Sequence, residues 1–180
     1  MRFQDKVVVV TGAGQGLGAG FAKDFAAEGA QVVLVGRTAA KVEKVADEIN
    51  AAGGKALPLG CDVGKPEEVE RCFHSIFERF GRVDILINNA AYHKSLSVVD
   101  TSVEEWSKQI NTNLNGTFYC TKAVLPGMIE RRYGKIVNMS SAGAKLFFPG
   151  FGAYAASKGG IVSLTQILSE EVKDYNINVN

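Results

Sequence analysis

Histidine is nearly absent from this chain: His74 and His93 are the only two in 180 residues. They stand too far apart to share a ligand, and Cys61, Cys72 and Cys120 have no metal-ligand spacing, so no metal site is expected. An odd number of cysteines among apolar neighbours favours reduced core thiols and a reducing compartment. An excess of one charge is also missing. With 20 Lys and Arg against 19 Asp and Glu, the net charge is +1, which excludes a general electrostatic footprint for nucleic acid or an anionic membrane. The densest basic group, Arg131-Arg132 with Lys135, reads as a solvated helix end. No apolar run is long enough to cross a bilayer, and Met1-Arg2-Phe3-Gln4-Asp5 leads straight into a strand pattern rather than a secretory leader. The expectation is a cytoplasmic protein without nucleic-acid or membrane partners. Linkers, low-complexity stretches and repeats are absent too, so residues 1–180 read as a single domain.

What is present is a regular alternation of two periodicities. Lys6–Val10 is a continuous apolar run, as expected for a strand covered on both faces, and Gln31–Val35, Lys55–Gly60, Val83–Ile87 and Lys135–Met139 read as further strands. Helical patterns fall between them: Leu17–Glu28, Ala39–Ala52, Pro66–Phe80, a long helix within Thr101–Arg132, and Ala153–Asp174. Ser102 and Glu105 are spaced as a capping box at the start of the fourth. Ile177–Asn180 opens a sixth strand. The pattern predicts an α/β doubly wound parallel sheet in the order 3-2-1-4-5-6, with a ligand crevice at the carboxyl ends of its strands. The longest irregular segments, Asn88–Asp100 and Ser140–Gly152, both follow strands and should border that crevice.

Three motifs point to chemistry at the crevice. Thr11-Gly12-Ala13-Gly14-Gln15-Gly16-Leu17-Gly18 joins the first strand to the first helix. Glycines there allow a tight turn and close backbone approach to a pyrophosphate, and the helix N-terminus offers free N–H groups. At the end of the second strand, where an unphosphorylated ribose usually meets a carboxylate, stand Gly36 and Arg37. A guanidinium there grips a 2′-phosphate, so NADP(H) is favoured over NAD(H). Asp62, after the third strand, is placed either to accept from an adenine amino group or to serve as a turn or N-cap residue. Finally, Tyr154 and Lys158 share one helix face, where an ammonium favours proton exchange at the phenol, and Ser141 precedes them at a strand end. Together these suggest hydride chemistry on a carbonyl or alcohol.

In register, these motifs make the chain resemble the short-chain dehydrogenase/reductase family over its whole length. Thr11, Gly12, Gly16 and Gly18 match the TGxxxGxG turn, Asp62-Val63 the adenine-site dipeptide, Asn88-Asn89-Ala90 the start of NNAG, Asn113 the long-helix asparagine, and Ser141, Tyr154 and Lys158 the catalytic set. The resemblance implies a Rossmann-type fold and a cofactor held by Gly12, Gly14, Gln15, Gly16, Leu17 and Gly18 of the turn. It adds Arg37, Asp62, Val63, Asn89, Ala90, Tyr154 and Lys158 to that set. It implies Tyr154 as general acid or base, Lys158 on the nicotinamide ribose, Ser141 on the substrate oxygen and Asn113 holding a water that links Lys158 to solvent. Of the neighbours Ser140 and Ser141, only the resemblance selects the second. It also implies a homodimer or homotetramer, the dimer pairing the two long helices beside the site. Two departures stand out: Ala91 replaces the glycine of NNAG, and the family continues past the sixth strand into a substrate-covering segment and a seventh strand. The chain reaches only Asn178-Val179-Asn180, so that strand and segment are expected to be absent.

Phe147, Phe148 and Phe151 lie between the serine and the tyrosine, where they form either an apolar pocket wall or a packing surface. His93 is either a substrate contact or a solvated loop residue, and His74, beside Glu70 and Glu78, reads as surface or core. Two other readings remain open: a catalytically silent dinucleotide-binding module, and a dehydratase or epimerase on the same scaffold.

Overall fold

A computed structural model describes every residue, 1–180. In chain order the elements are β1 (Val7–Thr11), α1 (Gly16–Ala27), β2 (Gln31–Gly36), α2 (Ala39–Ala51), β3 (Lys55–Gly60), α3 (Pro66–Phe80), β4 (Ile85–Asn88), α4 (Val103–Ile110), α5 (Gly116–Arg131), β5 (Gly134–Asn138), α6 (Gly152–Val172) and β6 (Ile177–Val179). The strands form one parallel six-stranded sheet in the order β3-β2-β1-β4-β5-β6, as the alternation predicts.

The strand period divides the core in two. Val9, Val33, Leu86 and Ile136 face one side and pack on Phe73 and Ile76 of α3, Val124 and Met128 of α5, and Leu168 of α6. Their neighbours Val8, Val10, Leu34 and Ile87 face the other side, against Ala22 of α1 and Val42, Val45 and Ile49 of α2. β1 is therefore buried along its whole length, which is why it reads as an unbroken valine run. β3 lies at the sheet edge, the one place where a strand accommodates Pro58. Cys61, Cys72 and Cys120 are free thiols in the first core layer.

The long helix expected within Thr101–Arg132 is interrupted. α4 and α5 are joined by a π-helical turn over Asn111–Asn115, whose one buried residue is Asn113. Two contacts account for the bulge. The Asn113 amide clasps the Tyr92 backbone, and Gly116 presses so closely on Val63 that an added Cβ would lie 3.0 Å from the Val63 carbonyl oxygen. The capping box is half formed: the Ser102 hydroxyl accepts from the Glu105 N–H at 3.1 Å. The Glu105 carboxylate instead receives the Tyr92 hydroxyl at 3.4 Å and lies 3.8 Å from the Lys94 ammonium. The segments after β4 and β5 meet beside the crevice, where the Leu96 N–H donates to the Gly150 carbonyl at 3.0 Å.

Candidate active site

The carboxyl ends of β1, β2, β3 and β4 open onto a cleft of about 330 Å³. Its floor is the glycine-rich turn. Gly12 has φ +65°, and a Cβ on it would stand 2.8 Å from Ala90 Cα; a Cβ on Gly18 would stand 2.4 Å from the Gly12 carbonyl oxygen. No side chain fits at either position, so at Gly12 backbone alone faces the cleft and Gly18 lets α1 pack beneath the turn. α1 starts at Gly16 without a side-chain cap, leaving first-turn N–H groups for an anion. These features fit a dinucleotide's pyrophosphate.

The turn is latched to the neighbouring strand. The Thr11 hydroxyl oxygen accepts from the N–H groups of Asn89 and Ala90, each at 3.0 Å, and the Asn89 amide donates back to the Thr11 carbonyl at 3.0 Å. Gly14, Gln15, Gly16, Arg37, Asp62 and Val63 line the cleft with Asn89 and Ala90, as the resemblance implies. Leu17 and Gly18 lie off its lining; Leu17 is exposed and Gly18 packs beneath the turn. Asp62 lines the cleft, and its carboxylate makes the turn bond, accepting from the Gly64 N–H at 3.0 Å. Cys61 also lines the cleft, and the neighbouring Cys72 thiol together with burial pushes its pKa well up.

Tyr154, Lys158 and Ser141 come together after β5, in a corner beyond the lining of this cleft. Lys158 is 3% exposed, and its ammonium donates to the Met139 carbonyl at 2.6 Å and sits 5.6 Å from the Tyr154 ring centroid. Burial pushes its pKa down to about 8. The two serines are separated by their partners. Ser140 donates its hydroxyl to the Lys158 carbonyl at 3.0 Å, whereas Ser141 only accepts, from the Gly143 N–H at 3.1 Å, and keeps its proton to donate.

Several residues escaped the sequence reading. Ser157, fully buried, donates to the Tyr154 carbonyl at 2.7 Å and accepts from Asn113 at 3.1 Å. Asn113 also donates to the Tyr92 carbonyl at 2.9 Å and accepts from its N–H at 2.7 Å, so both amide hydrogens and one acceptor position of its oxygen are taken. Beneath this lies a buried chain in which Asn88 donates to Thr121 and Asn138, and Asn138 to Thr165. The His93 ring stands 4.8 Å from that of Tyr154 and 4.3 Å from that of Phe151. Phe148 extends this aromatic group, while Phe147 points to solvent at 98% exposure. Lys41 lines the cleft against the glycine turn.

Comparison with known proteins bears on this geometry. Residues 6–180 match the short chain dehydrogenase family. The chain is 36% identical over 180 residues to meso-2,3-butanediol dehydrogenase of Serratia marcescens, covering 100% of this chain and 70% of that protein. It is 34% identical over 180 residues to a 3-oxoacyl-(acyl-carrier-protein) reductase of Thermotoga maritima, covering 100% of this chain and 73% of the relative. Among solved structures, a metagenomic short-chain oxidoreductase in complex with NADP superposes with a TM-score of 0.96 at 32% identity, over 98% of this chain and 80% of that one. NAD+-bound xylitol dehydrogenase superposes with a TM-score of 0.95 at 34% identity, over 100% of this chain and 70% of that one. No helix is long and apolar enough to cross a membrane.

Proposed function

This chain belongs to the short-chain dehydrogenase family, oxidoreductases that use a nicotinamide dinucleotide, and we propose that it moves a hydride between NADP(H) and a carbonyl or secondary alcohol. The observation that carries this reading is the corner where a buried lysine ammonium, a tyrosine and a serine with a free proton converge. When bound, the nicotinamide supplies the hydride in reduction and accepts it in oxidation. The residues of the chain handle the oxygen and its proton. In reduction the Ser141 hydroxyl donates to the substrate oxygen as negative charge develops there, and Tyr154 transfers the proton. In oxidation Tyr154 accepts it. Lys158 sets a positive charge beside the phenol and, in this reading, reaches the nicotinamide ribose. Asn113 acts through its amide, tying Tyr92 and, through Ser157, the Tyr154 turn to the π turn. A relay water at Asn113, as the resemblance implies, would meet one remaining acceptor position of the side-chain oxygen and a main-chain carbonyl that already accepts from the Thr117 hydroxyl at 2.8 Å.

The preference for NADP(H) rests on the end of β2. Gly36 offers no carboxylate there, a Cβ on it would press on Val42 Cγ1 at 2.7 Å, and Arg37 follows it in the cleft wall. Arg37→Asp is expected to weaken NADPH binding far more than NADH binding, by the loss of a charge-assisted contact of about 1.5–3 kcal/mol. His93, Phe148 and Phe151 supply the substrate side of the corner with an aromatic wall. The apolar faces of α5 and α6 serve a homodimer, with a tetramer as its extension.

The direct test is product formation. NADPH and a panel of ketones are incubated with the protein, and alcohol formed is compared with NADPH consumed. Equimolar appearance of alcohol is the expected result; NADPH consumption independent of every carbonyl would remove the reading.

A further inference from the structure

We propose that Lys41 is a second cation of the 2′-phosphate seat, reaching from the first turn of α2 over the glycine-rich turn. The inference rests on the NADP(H) reading above and adds to it a residue that the glycine-turn, Arg37 and Asp62 assignments leave out. Lys41 rises directly from the floor of the cleft, since a Cβ on Gly14 would lie 2.9 Å from Lys41 Cβ. Its ammonium then reaches back to Gln15, donating to the side-chain oxygen at 2.6 Å. The ammonium is thus held against the phosphate-binding turn, in the same cleft that Gly36 and Arg37 line at the end of β2.

Charge decides what Lys41 is waiting for. Lys23, Lys65 and Lys173 each sit on a carboxylate, Glu48, Glu68 and Glu170 respectively. Lys41 rests on a neutral amide, and neither it nor Arg37 forms an ion pair. Asp62, the one carboxylate in the cleft wall, lies after β3 and is turned toward the Gly64 N–H. Two unneutralised cations therefore flank the β2 end, together with Thr38, whose side chain makes no capping bond to α2. Exchanging a neutral oxygen for a phosphate oxygen strengthens the lysine's hydrogen bond by making both partners charged. A ribose hydroxyl offers no such gain. Lys41 thereby discriminates between the phosphorylated and unphosphorylated dinucleotides, and Gln15 is its resting place when no phosphate is bound.

Calorimetric titration of NADPH, NADH, 2′,5′-ADP and 5′-AMP into the parent, Lys41→Ala, Lys41→Gln and Arg37→Ala tests this without turnover. Lys41→Ala and Lys41→Gln are expected to weaken NADPH and 2′,5′-ADP by about tenfold, the scale of one charge-assisted contact, and to leave NADH and 5′-AMP within about twofold. If the parent prefers NADPH, Arg37→Ala loses that preference and both Lys41 variants keep it, Lys41 has no part in the seat while the NADP(H) reading stands. Equal loss for all four ligands would make Lys41 a support of the turn instead. If the parent binds NADPH and NADH equally, the reading itself fails, and the inference with it.

Discussion

Lys158 shows what the site imposes on a single residue. An ammonium that is 3% exposed is poorly solvated, and burial lowers its pKa from 10.5 to about 8. Below pH 8 both folded and unfolded chains hold the proton, and the folded state bears the full cost, about 3 kcal/mol. Between pH 8 and 10.5 the unfolded chain binds more protons, so this penalty fades as pH rises. Lys158→Met should therefore differ from the parent most at neutral pH. Denaturant titrations are expected to show its relative stability falling by about 3 kcal/mol from pH 7 to above pH 10.5; a difference independent of pH would mean that the ammonium is not penalised by burial. Tyr154 and Lys158 were legible in the sequence because one helix fixes their spacing. Ser157 and Lys41 were not, because their partners, Asn113 and Gln15, come from other elements and depend on packing.

At the scale of elements, the strands and most helices follow from periodicity, with edges shifted by a residue or so: β1 runs Val7–Thr11 where the apolar pattern marks Lys6–Val10. The π turn had no such signal. Nothing in Asn111-Thr112-Asn113-Leu114-Asn115 departs from helical spacing, and the bulge exists because Asn113 has a backbone to hold across the crevice. Asn113→Ala would strand the Tyr92 N–H and carbonyl and remove a donor to Ser157 in a fully buried place. A loss of about 2–4 kcal/mol is expected from those unpaired groups, together with faster hydrogen exchange at Tyr92. Asn113→Ala at parental stability with unchanged exchange would show that the amide does not hold this segment. Gly18→Ala should be more damaging to ligand binding than Gly20→Ala. Its methyl would meet the Gly12 carbonyl at 2.4 Å, whereas a Cβ on Gly20 meets nothing within 4 Å. Cofactor titration of the two variants separates them; equal affinity would contradict the packing role of Gly18.

For the whole molecule, strand order was legible because alternating strands and helices with right-handed crossovers leave few arrangements. Which surfaces stay uncovered was not, since α6 is apolar on more than one side and only packing separates Ile161 and Leu168, both buried, from Ile167, 62% exposed. A groove between α5 and α6, lined by Phe118, Leu125, Ile129 and Leu164, is the face proposed for the homodimer. Ile167→Asp and Phe118→Asp are expected to shift light scattering toward a 19.3 kDa monomer, and a parent already monomeric at micromolar concentration would contradict the dimer. The central claim, that a tyrosine at this corner exchanges the proton that accompanies hydride transfer, is tested most directly by Tyr154→Phe. Steady-state ketone reduction and NADPH titration on parent and variant should show turnover reduced to background in the variant, with cofactor affinity within about twofold, since acid–base catalysis contributes roughly a hundredfold or more. Turnover within a few-fold of the parent would remove Tyr154 from that role and contradict the account.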